Sequence, residues 1–476
     1  MPHAPDTPSG SPQPRRSLRV ILAAVGIALL LPIASCVAWS RIEEARLDAA
    51  LDALEARDEP LDVAEFYPRP TTREARQASH MYAETLKLAG AYTRRDDSAP
   101  IRAIQQLCSA DTSAANRVDQ VAILQTAENE HTPVLASLDR AAAFAPNGWE
   151  AADRPRRNSM DELRPVNVAK ANAIRIARLA CTGQGDEAAT ALVGSLRLSQ
   201  LTPSFYSRPL ISTAQSLEAV LTFGHPDTPH LEALQAEYAK QDDNRGLERR
   251  LRYLRAAWLQ YTLPGVVSDP PEGLTRQGIN PLEAILTRLG RPLRNHAIVA
   301  QLREFDEALA VANTPWPAKL DAAIATTQRY RRTIPARRRG PLQALVRPPG
   351  PNMAALDLEN SVTTTAETLA RTRVSVTALA VARYQRAHNG LLPAALQDLQ
   401  SDYLSTSPID PYTGKPLIYR QDGKSFKVYS VGINRKDDGG VWDPPSDLQS
   451  SRRGNPLDVG IAVAIPAPVS PTPGTR

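Results

Sequence analysis

The chain has 476 residues, of which 42% are hydrophobic and 5% aromatic, and its formal net charge is +5. The length allows two or three domains, and the 41 prolines and 24 glycines interrupt helices too often for a long coiled coil. Positive charge lies in separate places, with acidic residues nearby, so nucleic acid is not an expected partner.

Residues 17–39 are predicted to form a transmembrane anchor. The run from Val20 to Trp39 contains no charged side chain, and a helix of this length spans the roughly 30 Å of a bilayer core. Arginines precede the run, so the N-terminus is expected in the cytoplasm and the bulk of the protein in the periplasm. The Pro-rich residues 1–16 and 466–476 are expected to be disordered tails, the first of them cytoplasmic.

Two alternatives to a permanent anchor remain open. The tripeptide Ile33-Ala34-Ser35 before Cys36 resembles a bacterial lipobox, in which Cys36 would be lipidated and become the mature N-terminus. A cleaved signal peptide is the second alternative. The apolar run continues without a polar break to Trp39, which favours the uncleaved anchor.

Cysteines are too few for a disulfide scaffold, and no C-x-x-C spacing suggests zinc or thioredoxin-like chemistry. Outside the cytoplasm, Cys108 and Cys181 could form a disulfide. Two buried free thiols are the equal alternative.

Residues 40–333 are predicted to be a multi-helix extracytoplasmic region. Apolar residues keep helical spacing from Arg41 to Arg57, so the membrane helix is expected to continue outward as an amphipathic stalk. A helical hairpin is predicted from Val168 to Leu201, with Asp186 as the cap of its second helix. Pro133 is expected to interrupt a helix.

No residues form a recognisable catalytic motif. His225, Asp227 and His230 are close in sequence, but neighbouring prolines favour a turn over a metal site. The Arg-rich stretches Arg249–Arg255 and Arg329–Arg339 are predicted to be solvated faces, the first on a packed amphipathic helix. The chain is therefore predicted not to be an enzyme, and no small-molecule substrate is identified.

Residues 334–351 are predicted to be a Pro/Arg-rich linker to a small α+β module at 352–465. A helix is expected to end at Asn389-Gly390. Alternating runs on either side of Asp422-Gly423 predict a β-hairpin, and Val459–Ile465 predicts a further strand.

A series of turn-forming and apolar residues follows the predicted helix in a fixed order. These residues are Tyr384, Asn389, Gly390, Pro393, Leu396, Leu399, Asp410, Pro411, Gly414, Pro416, Tyr419, Ser430, Gly432 and Asp437–Gly440. Their order over about residues 370–465 resembles the globular part of the major pseudopilin of type II secretion systems. The resemblance implies a helix packed on an antiparallel sheet and partners in the envelope or a secretion system. A pseudopilin's membrane helix directly precedes its globular part and carries a processed signature; here neither is true, so polymerisation is not expected.

In that family an acidic loop after the Ser-x-Gly element binds calcium. The corresponding residues here are Asp437, Asp438 and Asp443, whose carboxylates are ligands that suit Ca²⁺. Asn434 stands where an Asp is common, and two basic residues are inserted. A Gly-Gly turn without an ion is therefore the preferred interpretation, with calcium as the alternative.

Together these features predict a single-pass, membrane-anchored envelope protein, mainly α, with an N-terminal transmembrane helix and a C-terminal pseudopilin-like module. Its expected role is non-enzymatic binding or scaffolding, with a possible link to secretion. The alternative is a lipid-anchored or secreted hydrolase whose site is assembled from dispersed residues.

Overall fold

The structure is a computed structural model. It describes residues 14–66, 72–90, 98–107, 114–144, 164–201, 215–243, 245–263, 291–337, 358–423, 425–442 and 457–464. The predicted linker at 334–351 and both tails lie largely or wholly outside these residues.

The described chain is mainly helical, with a small three-stranded antiparallel sheet near the C-terminus, as the sequence predicts. The helices are α1 (Pro14–Glu55), α2 (Arg73–Ala89), α3 (Ser98–Leu107), α4 (Ala114–Ala142), α5 (Arg164–Cys181), α6 (Gly185–Leu201), α7 (Thr228–Ala239), α8 (Gly246–Thr262), α9 (Arg291–Ala312), α10 (Ala318–Arg337) and α11 (Leu358–Ala387). The strands are β1 (Ile418–Gln421), β2 (Ser425–Ser430) and β3 (Val459–Ala464).

Helix α1 is continuous from the predicted anchor into the predicted stalk. Its second half is not a free stalk, because Leu47 and Leu54 are buried against α8 and α9. Most side chains of the predicted anchor, at 17–30, 32 and 33, lie outside the described residues. Over the part of the chain that was described, no helix has both the length and the apolar character needed to cross a membrane.

Pro133 lies inside α4, so the predicted interruption there is wrong. Proline lacks the N–H that would donate to the carbonyl of Asn129, four residues earlier. The hydroxyl of Thr132 donates to that carbonyl at 2.8 Å instead. The acceptor left free by proline is thus satisfied from the neighbouring side chain, and the helix continues.

The predicted hairpin is formed by α5 and α6. Buried Asn172 of α5 ties the two helices together, since its amide donates to the carbonyl of Ala191 and to the hydroxyl of Ser195, each at 2.7 Å. After α6, residues 215–219 form a helical turn that passes into the π-helical turn Val220–Gly224.

The C-terminal elements share a core with the helices that precede them. Helix α11 packs on β2 and β3 and also contacts α7 and α10. Buried side chains from α5, α6, α7, α11 and the sheet form one apolar cluster. The predicted module at 352–465 therefore lies directly on the helical region; its domain boundaries stay a prediction.

The antiparallel sheet has the order β1-β2-β3. The predicted hairpin joins β1 to β2, with Gly423 in the left-handed region at φ 81°. Strand β3 pairs with β2 in the register Val428 to Ile461. The predicted stop after α11 is also present, because Asn389 and Gly390 both have positive φ, which glycine and asparagine adopt most readily.

Candidate functional site

The predicted acidic loop forms a tight turn between β2 and β3. Asp437 accepts hydrogen bonds from the Tyr429 hydroxyl at 2.9 Å and the Arg420 guanidinium at 2.7 Å. It also accepts the backbone N–H of Gly439 at 2.9 Å, which is the main reason that its pKa lies below the usual range. Asp438 accepts the side-chain amide of Asn434 at 2.8 Å.

Asp458, at the entry to β3, organises this turn, and the sequence analysis missed it. Its buried carboxylate accepts the backbone N–H groups of Asp438 at 3.3 Å and Gly440 at 2.8 Å. Burial raises its pKa above the usual range. The described carboxylates of the turn thus accept hydrogen bonds from groups of the protein itself. Asp443 lies outside the described residues, so the calcium set of Asp437, Asp438 and Asp443 stays a prediction.

A second group of charged side chains lies where α6 and α7 begin. Carboxylate oxygens of Asp186 and Asp227 and a ring nitrogen of His230 lie within 4.8 Å of one another. Asp227 caps α7, accepting the backbone N–H of His230 at 3.1 Å and contacting its Nδ1 at 2.5 Å. The predicted capping of α6 by Asp186 is wrong, because α6 begins at Gly185 and Asp186 lies within its first turn. The Asp186 carboxylate accepts the backbone N–H of Asp227 at 2.8 Å. These three side chains therefore link the start of α6 to the start of α7.

The described cysteines are free thiols. Cys36 is exposed on α1, where lipidation was the alternative to a retained anchor. Burial raises the pKa of Cys181 to about 11, so this thiol is protonated and unreactive at neutral pH. The free thiol of Cys181 does not support the predicted alternative of a disulfide with Cys108, which itself lies outside the described residues.

A cleft of about 670 Å³ lies where the helical region meets the C-terminal elements. Its walls come from the start of α8, the loop joining α9 to α10, the middle of α11 and the segment before β1. Its charged lining residues are Arg245, Glu248, Lys319 and Arg373. Arg373 is fixed by Asp242 at 3.2 Å and by the carbonyl of Ile409 at 2.6 Å.

Lys319 and Trp316 are the unusual pair in this cleft. Lys319 is only 4% exposed, and its ammonium lies 4.9 Å from the centre of the Trp316 indole. Burial lowers the pKa of Lys319, and the charge of Glu248 partly opposes this effect. The indole Nε1 is buried and has no acceptor among the described residues. Neither residue belongs to a pattern that predicted a site from the sequence.

Glu218 is a half-buried acid that none of these groups includes. It lies in the turn at 215–219 between the buried residues Leu217 and Ala219. Burial raises the pKa of its carboxyl from 4.5 to about 8, because an apolar environment disfavours the charged form. The folded protein therefore holds Glu218 mainly protonated at neutral pH.

This shift predicts a loss of stability as the pH rises from about 4.5 to about 8. In that window the unfolded chain releases the Glu218 proton while the folded chain retains it, so unfolding is favoured. At roughly 1.4 kcal/mol per pKa unit, and allowing for partial exposure, the loss is about 2–3 kcal/mol. Urea unfolding at about pH 5 and about pH 9 measures it.

Glu218→Gln is the matched comparison, because glutamine has nearly the same shape as glutamate and carries no charge at any pH in this range. We expect the pH dependence of its unfolding free energy to be flatter than that of the parent chain by the same amount. The exposed Glu187 of α6 serves as a control, and Glu187→Gln should leave the pH dependence unchanged. Identical pH profiles for Glu218→Gln and the parent chain would show that the carboxyl is solvated.

No protein-family model, curated protein or solved structure matches this chain.

Proposed function

We propose that this chain is a single-pass, N-terminally anchored envelope protein whose folded body lies outside the cytoplasm and has a non-enzymatic binding or scaffolding role. The observation that carries the proposal is the continuity of α1, which joins the apolar run to a segment buried in the core. A helix of 42 residues is about 63 Å long, enough to cross a bilayer and continue into the body.

The side chains between these two ends support the same proposal. Leu31, Val37 and Trp39 are 60%, 56% and 37% exposed. In water this apolar surface would be unfavourable, whereas a bilayer would cover it. The folded part begins within two turns, where buried Glu43 contacts Arg46 at 2.7 Å and His296 at 3.3 Å. The membrane boundary is therefore proposed to lie near Trp39.

The pseudopilin-like character of the C-terminal elements belongs to this proposal. It is supported by the packing of α11 on the antiparallel sheet, the arrangement that the resemblance implies. Under this proposal the module contacts other envelope or secretion-system proteins. It does not polymerise, because α1 is joined to the helical region rather than to α11.

The cleft supports binding rather than hydrolysis. A hydrolase that works through a serine, threonine or cysteine nucleophile needs that group within hydrogen-bond reach of a base. The hydroxyl in the cleft lining belongs to Thr314, and it donates to the backbone carbonyl of Val311. This hydroxyl is therefore engaged with the backbone rather than with a base.

Membrane fractionation tests the anchor. We expect the full chain, expressed in bacterial cells with tags at both ends, to stay in the membrane pellet after carbonate washing and to keep both tags. Protease added to spheroplasts should remove the C-terminal tag. The double variant Leu29→Arg, Leu30→Arg should leave the membrane, because each arginine costs roughly 3 kcal/mol in a bilayer centre.

The variant Cys36→Ser distinguishes a helical anchor from a lipid anchor. A helical anchor predicts unchanged membrane association, whereas a lipid anchor predicts loss of the chain from the membrane. Loss of the N-terminal tag from the mature protein would indicate a cleaved signal peptide. A C-terminal tag that resists protease in intact spheroplasts but not after lysis would refute the proposed topology.

A further inference from the structure

The cleft contains two hydrogen-bond donors that lack an acceptor. The indole Nε1 of Trp316 is buried and unpaired among the described residues. The ammonium of Lys319 lies over the same indole ring, and within the described chain it donates no hydrogen bond. Buried donors are normally satisfied, because leaving one unpaired costs its solvation. Both residues line the same cleft, so a single carboxylate of a ligand could approach them together.

The charges around these donors indicate the charge of that ligand. The cleft lining carries the cations Arg245, Lys319 and Arg373 and the anion Glu248. Asp242 pairs with Arg373 and offsets its charge. Glu248 is likewise paired, with Arg252 at 2.7 Å. Both carboxylates are therefore already engaged with arginines, and the lining keeps an excess of positive charge that an anionic group of a ligand would balance.

The rest of the lining is suited to an organic group. Ala312, Pro315 and Ile409 supply apolar surface beside the two donors. A volume of about 670 Å³ lies within the range of sites for small organic ligands, which combine apolar walls with a few fixed polar groups. A bare inorganic ion would leave most of this space filled with water.

We propose that this cleft binds a small organic acid through its carboxylate, with one oxygen accepting from Lys319 and the other from the Trp316 indole. The apolar part of the ligand lies against Pro315 and Ile409. This inference gives a ligand class to the binding role proposed above and rests on that role, but it does not rest on the anchor. Fractionation tests the anchor and calorimetry tests the ligand, so either can fail alone.

Isothermal titration calorimetry on the full chain in non-ionic detergent tests the proposal, with sodium hexanoate as the probe at constant ionic strength. We expect saturable binding of hexanoate. Hexanol, which has the same chain and no charge, and inorganic phosphate should each bind at least about tenfold more weakly, since charged hydrogen bonds and apolar contact are both required.

Lys319→Met keeps the length of the side chain and removes its charge, and should weaken hexanoate binding at least about tenfold. Trp316→Phe keeps the ring, removes the N–H and should weaken binding severalfold; it tests the proposal even if Lys319→Met fails to fold. Arg249→Met is the matched control, because Arg249 is exposed on α8 and is not part of the cleft lining.

Three results would overturn the proposal. They are no saturable binding of hexanoate to the parent chain, equal affinity in the folded Lys319 and Trp316 variants, and phosphate binding as tightly as hexanoate. The last result would show general attraction of anions to the lining arginines.

Discussion

Replacing Arg255 with methionine is expected to lower the free energy of unfolding by about 3–5 kcal/mol. Arg255 of α8 is fully buried and pairs with Glu59, which is 10% exposed, and its guanidinium lies 3.9 Å from Asp306 of α9. Methionine fills similar space but leaves the mostly buried Glu59 carboxylate with only the half-exposed Arg57, whose guanidinium lies 3.5 Å from it. An uncompensated buried charge is far more costly than a lost surface ion pair.

The double variant Arg255→Met, Glu59→Gln distinguishes this cause from lost packing. It removes both charges, so we expect it to recover at least half of the stability lost in Arg255→Met. Arg329→Met is the control at the surface, because Arg329 and Glu307 are both about half exposed or more and pair at 2.7 Å. Its cost should stay below about 1 kcal/mol. Urea unfolding monitored by circular dichroism measures all three variants.

Equal losses in the single and double variants at Arg255 would contradict this explanation. They would show that the guanidinium contributes by filling space rather than by neutralising Glu59. The expected result would instead identify Arg255 as the residue that joins the segment after α1 to α8 and α9. Because α1 carries the proposed anchor, this contact would connect the membrane segment to the folded body.

Arg255 also shows where sequence patterns are insufficient. The stretch Arg249–Arg255 predicts a helix with a solvated charged face, and α8 does form there with Leu251 buried. Arg249 is on the exposed face as predicted, whereas Arg255 points into the core. Helical periodicity predicts which residues share a face, but it does not reveal a distant carboxylate that allows an arginine to be buried.

Local signals predicted the local structure well. Asn389-Gly390 and Asp422-Gly423 mark turns that require positive φ, and both turns occur at these residues. Such features depend on a few consecutive residues and on backbone sterics, which the sequence contains directly. Pro133 is the exception, because its effect depends on whether a neighbouring side chain can replace the missing donor.

The candidate cleft depends on contacts that no local pattern encodes. Trp316 lies in a loop, Lys319 lies at the start of α10, Arg373 lies in α11, and Arg245 precedes α8. They come together only when α11 packs across the helical region. The scarcity of lysine in this Arg-rich chain was the one available signal for Lys319, and it does not specify a neighbour.

A close backbone approach between Gly185 and Gly224 makes Gly185→Ala the second large expected effect. Gly185 begins α6, and a Cβ built there would lie 1.9 Å from the carbonyl oxygen of Gly224 and 2.4 Å from its carbonyl carbon. No side-chain rotation relieves a clash with backbone. The start of α6 must therefore move away from the π-helical turn, at an expected cost of about 3 kcal/mol.

Gly246→Ala is the matched control, because Gly246 also begins a helix. A Cβ there would meet only the Asp243 carboxylate at 3.9 Å, which is an ordinary contact distance. We expect this variant to be neutral or up to about 1 kcal/mol more stable, since alanine restricts the unfolded chain. Equal stability of the two variants in urea would show that the π-helical turn shifts at little cost. A large difference would show that the Gly185–Gly224 approach fixes α6 against the core that also supports α11 and the sheet.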